Sequence, residues 1–225
     1  MRFDVVTIFP ELVETYFNES ILKRARTKGV LDLRVHDLRD VTNDRHHTVD
    51  DRPFGGGPGM LLKVEPIVKT LEKVLGKAAD KKKRPKTTKV YTMDPGGVQF
   101  SQTVARKMAK LKHVVLICGR YEGIDARVDS WIDGKISIGP YVLTGGEIPA
   151  VIVTDVVARM VPGVLGHKDS SKDETDVDAG FVEYPQYTRP EVFRGKKVPK
   201  VLLSGDHRSI AIWKSKHTRR STNGK

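Results

Sequence analysis

Three glycine-bearing stretches stand where a chain would bring its own backbone against a ligand: Asp94-Pro-Gly-Gly, Gly119-Arg-Tyr-Glu-Gly and Ile138-Gly-Pro-Tyr-Val-Leu-Thr-Gly-Gly. Glycine has no Cβ, so the main chain can approach closely and present its N–H and C=O groups directly. Neither G-x-G-x-x-G nor G-x-x-x-x-G-K-[ST] occurs, so neither a dinucleotide fold nor a phosphate loop is supported. A neutral, adenosine-like ligand held by backbone groups is the expectation. Any one of these stretches alone would pass for a turn. A second constellation, Arg45-His-His-Thr-Val-Asp-Asp-Arg-Pro-Phe-Gly-Gly-Gly-Pro-Gly-Met, is a long loop dense in Gly, Arg and Asp. Such loops are functional or disordered, and its charge density favours function. His46 and His47 are adjacent in a loop with no Cys partner, a poor ligand set, so no metal site is assigned.

The elements that must position these loops follow from periodicity. Phe3 to Phe9 reads as a buried strand ended by Pro10, and Glu11 to Lys28 as a helix stopped by Gly29. Leu31 to His36 alternates as a half-buried strand would, and Val64 to Leu75 carries one apolar helical stripe. Asp80-Lys-Lys-Lys-Arg-Pro-Lys reads as a solvated loop. From Lys89 a strand–loop–helix rhythm begins, with strands at Val90–Met93, His113–Cys118 and Lys135–Ile138. Helices are expected from the Ser101 N-cap to Lys112, at Ala126–Ile132 and at Pro149–Val161. The rhythm predicts an α/β fold, a mostly parallel sheet with helices on both faces, whose ligands bind at the carboxyl ends of the strands. Residues 166–180 are polar and read as a flexible linker between a domain at 1–165 and a small helical appendage at 181–225.

The formal net charge of +12 over 225 residues suits an anionic polymer, because neutralised phosphates release counterions. A basic surface kept for solubility explains the charge equally well. The lone Cys118 lies in an apolar run and reads as a small hydrophobe. It allows no disulfide framework and suits a cytoplasmic protein. The first residues form neither a signal peptide nor a membrane span.

Taken together, several segments closely resemble the bacterial tRNA (guanine-N1)-methyltransferase family, in order and at matching spacing from residue 1 to about Trp213. They are the run at 50–60, Cys118 to Asp125, Ser137-Ile-Gly with Tyr141 to Ala150, Pro162-Gly-Val-Leu-Gly and Tyr187-Thr-Arg-Pro-Glu-Val. The resemblance implies a deep trefoil knot at the cofactor site, which no strand reading would suggest. It implies S-adenosylmethionine among Pro95, Gly119, Tyr121, Glu122, Ile138, Gly139, Pro140, Tyr141, Val142, Leu143, Gly145 and Gly146. It implies that the methyl goes to N1 of the guanine 3′ of a tRNA anticodon, lodged near Asp50, Gly59 and Arg120. The family resemblance also implies a homodimer and a link to Mg²⁺.

N1 of guanine carries a proton, so a general base must take it as the methyl moves, while a cation can steady the charge growing on O6. Matching the family's Asp-Ser pair to the linker implies Glu174 as the base, with Asp173 as the alternative, and Arg159 as the cation. Without the resemblance, Arg159 reads as a helix-surface partner of Asp155. Three departures stand out: Pro140 where an Asp is usual, Asp94 in place of a small polar residue, and a C-terminal domain that stops early. They leave an alternative reading, a catalytically weakened RNA-binding protein of the same fold.

Overall fold

The structure is a computed structural model that describes residues 1–165 and 181–220. The chain forms two compact units, Met1–Gly166 and His167–Lys225. In the first, the elements run β1 (Arg2–Thr7), α1 (Pro10–Phe17), α2 (Ser20–Thr27), β2 (Asp32–Asp37), the short antiparallel pair β3 (Asp50–Asp51) and β4 (Leu61–Leu62), α3 (Val64–Leu75), β5 (Thr88–Gln99), α4 (Gln102–Met108), β6 (His113–Cys118), β7 (Gly134–Ser137) and α5 (Glu147–Arg159). Five strands form one sheet in the order β2-β1-β6-β5-β7, every pairing parallel.

The apolar runs become the middle of that sheet for a simple reason. Phe3 and Val5 of β1 and Val114 and Leu116 of β6 point to one face, where α1, α2, α4 and α5 cover them. Val6, Val115 and Ile117 point to the other, beneath Ile67 and Leu71 of α3. A strand covered on both faces must be apolar at every position rather than at alternate ones. The expected α/β sheet with helices on both faces is therefore what forms. Among the described residues, no helix is long and apolar enough to cross a membrane.

Local expectations change, and the helix expected at Ala126–Ile132 is a 3-10 helix over Ala126–Ser130. The expected helix Glu11–Lys28 is two helices, because Asn18 ends α1 and Ser20 takes left-handed backbone at φ 47°. That break lets Val13 and Phe17 of α1 and Leu22 and Ala25 of α2 all reach the core. The run expected as a solvated loop at 80–86 is a 3-10 turn over Lys81–Lys83, capped by the Asp80 carboxylate and held by a buried arginine. The thiol of Cys118 is fully buried, and that burial pushes its pKa well up, as a small hydrophobe requires.

Among the described residues, the one charged residue wholly inside the sheet is Asp4. Burial alone would raise its pKa, but hydrogen bonds from His113 and His36, each 2.5 Å, and from Arg2 outweigh that and hold it well below the usual carboxylate range. A carboxylate so depressed stabilises the fold above its unfolded pKa of about 3.9, and that stability is lost as pH falls through the folded value. Urea titrations of Asp4→Asn and the unsubstituted chain should differ most near neutral pH and converge below pH ~4. A difference that fails to shrink as pH falls further below ~4 would show that Asp4 does not act through its charge.

In the second unit, β8 (Phe181–Val182), β9 (Val192–Phe193), β10 (Lys196–Lys197), α6 (Lys200–Leu203), α7 (His207–His217) and β11 (Arg219–Arg220) follow one another. Asp206 caps α7 by accepting from the N–H groups of Arg208 and Ser209. Trp213 gathers Tyr184, Tyr187 and His217 around its ring. This unit is thus helical with two small antiparallel pairs. Residues 166–180, read as a linker, lie outside the described residues.

Candidate cofactor cleft

At the carboxyl ends of β5, β6 and β7 a cleft of about 310 Å³ opens. Three loops make it. In the first, the ladder to β7 breaks: Met93 and Val98 both pair with Ile136, and residues 94–97 bulge out between them. The stretch expected as a loop is therefore an excursion within one long strand. Gly97 allows it, since a Cβ there would lie 2.5 Å from the Lys135 carbonyl carbon. Asp94 accepts from Gly96 N–H at 2.8 Å and meets Lys135 at 3.7 Å, so this departure from the family pattern caps the bulge.

The second loop leaves β6 at Gly119, and its Tyr121 takes left-handed backbone at φ 56°. The third runs from Ile138 to Gly146 and returns to the second. Gly146 N–H donates to Gly119 C=O at 2.9 Å, and a Cβ on Gly146 would sit 2.7 Å from Cys118 Cα. Only a glycine lets those two chains touch.

Of the residues assigned to a cofactor, Pro95, Gly119, Tyr121, Glu122, Ile138, Gly139, Tyr141, Val142, Leu143, Gly145 and Gly146 all line this cleft. Pro140 does not; it is exposed and outside the lining. Tyr121, Tyr141, Val142 and Leu143 expose large apolar surface at the rim. The Thr92 hydroxyl is buried in the wall and, among the described residues, has no hydrogen-bond partner. Backbone edges, apolar rims and the unmatched hydroxyl suit a nucleoside-like ligand, and Asp94, Arg120, Glu122, Asp129 and Lys135 add charge to the lining. Among the described residues no three His, Cys, Asp or Glu side chains converge, so no residue is assigned to a magnesium ion.

The residues assigned to the guanine end take different places. Arg120 lines the cleft. Gly59 packs against Glu122, whose N–H donates to Met60 C=O at 3.0 Å, so the long 45–60 loop is tied to the second loop. Asp50 sits in β3 opposite Leu62. Arg159 ends α5, and its charge offsets the rise that burial gives Asp155, the neighbour expected from helix spacing. It lies outside this cleft. Glu174 and Asp173 fall outside the described residues.

Sequence reasoning missed what holds Arg120. Its Nε donates to Glu147 at 2.9 Å, and the other oxygen of that carboxylate accepts from the Thr7 hydroxyl at 2.6 Å. Glu147 is only 1% exposed, at the first residue of α5, and the guanidinium stacks 4.5 Å from the Phe9 ring. An acidic residue in the first turn of a helix is ordinarily a solvated one that favours the helix dipole. Nothing in the spacing links it to an arginine 27 positions earlier.

The chain matches, over residues 1–225, the family described as tRNA (Guanine-1)-methyltransferase TrmD. A protein of Dictyoglomus turgidum named tRNA (guanine-N(1)-)-methyltransferase is 48% identical over 222 residues, covering 99% of this chain and 86% of that protein. Proteins of the same name from Geobacter sp. strain M21 and Thermomicrobium roseum are 48% and 49% identical, covering 99% and 95% of this chain and 86% and 77% of theirs.

Proposed function

Because this chain belongs to the tRNA (guanine-1)-methyltransferase family, we propose that it transfers a methyl group from S-adenosylmethionine to N1 of the guanine 3′ of a tRNA anticodon. The observation that carries this is the convergence of eleven assigned residues on one cleft at the carboxyl edge of the sheet. Bound there, S-adenosylmethionine supplies a sulfonium methyl that N1 takes with its electron pair. The glycine loops hold the ligand by backbone groups, and Tyr121, Tyr141, Val142 and Leu143 exclude water around it. The knot implied by the resemblance belongs to the same cleft, where the bulge and both loops meet.

Glu174, or Asp173 beside it, takes the N1 proton, and Arg159 steadies the charge on O6. Arg159 stands twelve residues along α5 from Glu147, about 18 Å at the rise of a helix. It therefore serves the cleft of a second copy in a homodimer. Support for that pairing comes from Ile148 and Ile152 on α5 and Phe9, Leu12 and Tyr16 at α1, all exposed apolar residues on packed neighbouring elements. A solvent-facing apolar patch of this kind marks an interface. The site then works in the cytoplasm, where tRNA is charged and read.

The test is to incubate the full chain with methyl-labelled S-adenosylmethionine and two unmodified tRNA transcripts, one with guanine and one with adenine 3′ of the anticodon. Label should appear as 1-methylguanosine in the first only. Label on a ribose 2′-oxygen, or none at all, would overturn the reading.

A further inference from the structure

The lysine run at 81–86 is not slack. Arg84 in its middle is 2% exposed at its side chain and makes four hydrogen bonds: to the carbonyls of Ala78 and Ala79 at 2.9 and 2.8 Å, to the Trp131 carbonyl at 2.8 Å, and to Asp133 at 2.7 Å. Asp133 is in turn fixed by Lys89 and by Val90 N–H. Asp80 caps the turn through Lys82 N–H and meets Lys83 at 3.5 Å. An anchored turn carries its lysines at fixed places, which a solvated face has no need of.

A second basic segment is brought beside it. Lys112 N–H donates to Thr87 C=O at 2.9 Å, so the residues entering β6 lie against those entering β5. Lys81, Lys82 and Lys86 from one segment and Lys110 and Lys112 from the other are all exposed. None of these five takes part in an ion pair among the described residues. Glu72 and Asp80 lie beside Lys81 and Lys82, and Asp80 is already engaged by Lys83.

Both segments sit at the amino ends of parallel strands, whereas the cleft is at their carboxyl ends. Five residue steps along the strand separate Thr88 from Met93, about 17 Å. A guanine in the cleft cannot also touch these lysines, so their anionic partner must be a different stretch of chain. We propose that this patch grips the phosphate backbone of the bound tRNA at a place remote from the anticodon loop. Lysine suits the task, as a hydrated point charge that reads phosphate and not base. The inference rests on the part of the proposed function that has tRNA bound by this chain, not on the methyl transfer.

The experiment uses the full chain with Lys81, Lys82, Lys86 and Lys112 each changed to Gln, and two probes, an unmodified full-length tRNA transcript and its isolated anticodon stem-loop. Binding is measured against salt for both, with methylation at saturating RNA alongside. Four lost phosphate contacts should weaken full-length tRNA binding at least tenfold at low salt and flatten the log–log salt slope by about 3. Affinity for the stem-loop and the saturating rate should stay as they were. Equal weakening for both probes would reduce the patch to a general charge effect and overturn the proposal, as would no weakening for either. The methylation arm is independent: an unsubstituted chain that binds tRNA through the patch but never methylates it would sink the proposed function and leave this inference standing.

Discussion

Arg120→Met should destabilise the first unit by about 3–5 kcal/mol, because it strips the counter-charge from a carboxylate that has no water to turn to. Glu147 is 1% exposed and Arg120 18% at the side chain, so the cost is asymmetric. Methionine keeps the length and packing of the stem while leaving Glu147 with only the Thr7 hydroxyl. For a chain of this size that loss shifts Tm by on the order of 10 °C. Glu147→Gln should cost far less, about 1 kcal/mol, since the guanidinium keeps the Thr144 carbonyl and the Phe9 ring and can reach water. The double change Arg120→Met with Glu147→Gln should then recover much of what the first lost. Denaturant unfolding of the three variants reads the pairwise coupling directly. Simple additivity would mean that the pair is solvated in solution and does not hold the cleft wall.

The coupling matters because this pair ties three parts of the site together. Arg120 comes from the loop after β6, Glu147 from the start of α5 and Thr7 from the end of β1. Gly146 stacks the same two loops by contact. A cleft built by loops alone would be mobile, and these bonds fix it to the sheet.

How much of this was legible in the sequence follows from where each signal lives. The strand His113–Cys118 could be read because a doubly covered strand in the middle of the sheet leaves an uninterrupted apolar run, and Lys135–Ile138 because Ile136 and Ile138 alternate with polar residues as in a strand at the sheet's edge. The three glycine loops could be read because close backbone approach leaves few alternatives to glycine. The break at Ser20 could not, since the helical stripe continues in phase on both sides of it. Arg84 was lost within a run of lysines: its burial depends on Asp133, which lies 49 positions away. Glu147 was lost for the same reason. Long-range pairing of charged groups leaves no periodic mark, whereas burial of apolar ones does.

Glu174→Gln should leave cofactor binding intact and lower the single-turnover methylation rate by roughly two to four orders of magnitude, the usual loss when a general base is removed. The substitution keeps size and hydrogen-bonding capacity and removes only basicity. N1 of guanine has no electron pair to offer until its proton begins to leave, so the rate falls with the loss of the acceptor for that proton. Asp173→Asn is the necessary companion. If Asp173 is the base, that variant shows the loss and Glu174→Gln does not. A variant lacking the base should partly recover as pH rises, because N1 then ionises without help, while the unsubstituted chain gains less over the same range. Arg159→Met gives the complementary signature, a slower step whose pH profile keeps its shape because the base remains. Mixing Arg159→Met chains with Glu174→Gln chains adds a test of the shared site. If α5 of one copy serves the other's cleft, mixed dimers regain activity that neither variant has alone when the base and the cation fall on different chains. Intact single-turnover methylation in both carboxylate variants would mean that this segment moves no proton, and the mechanism would need another base.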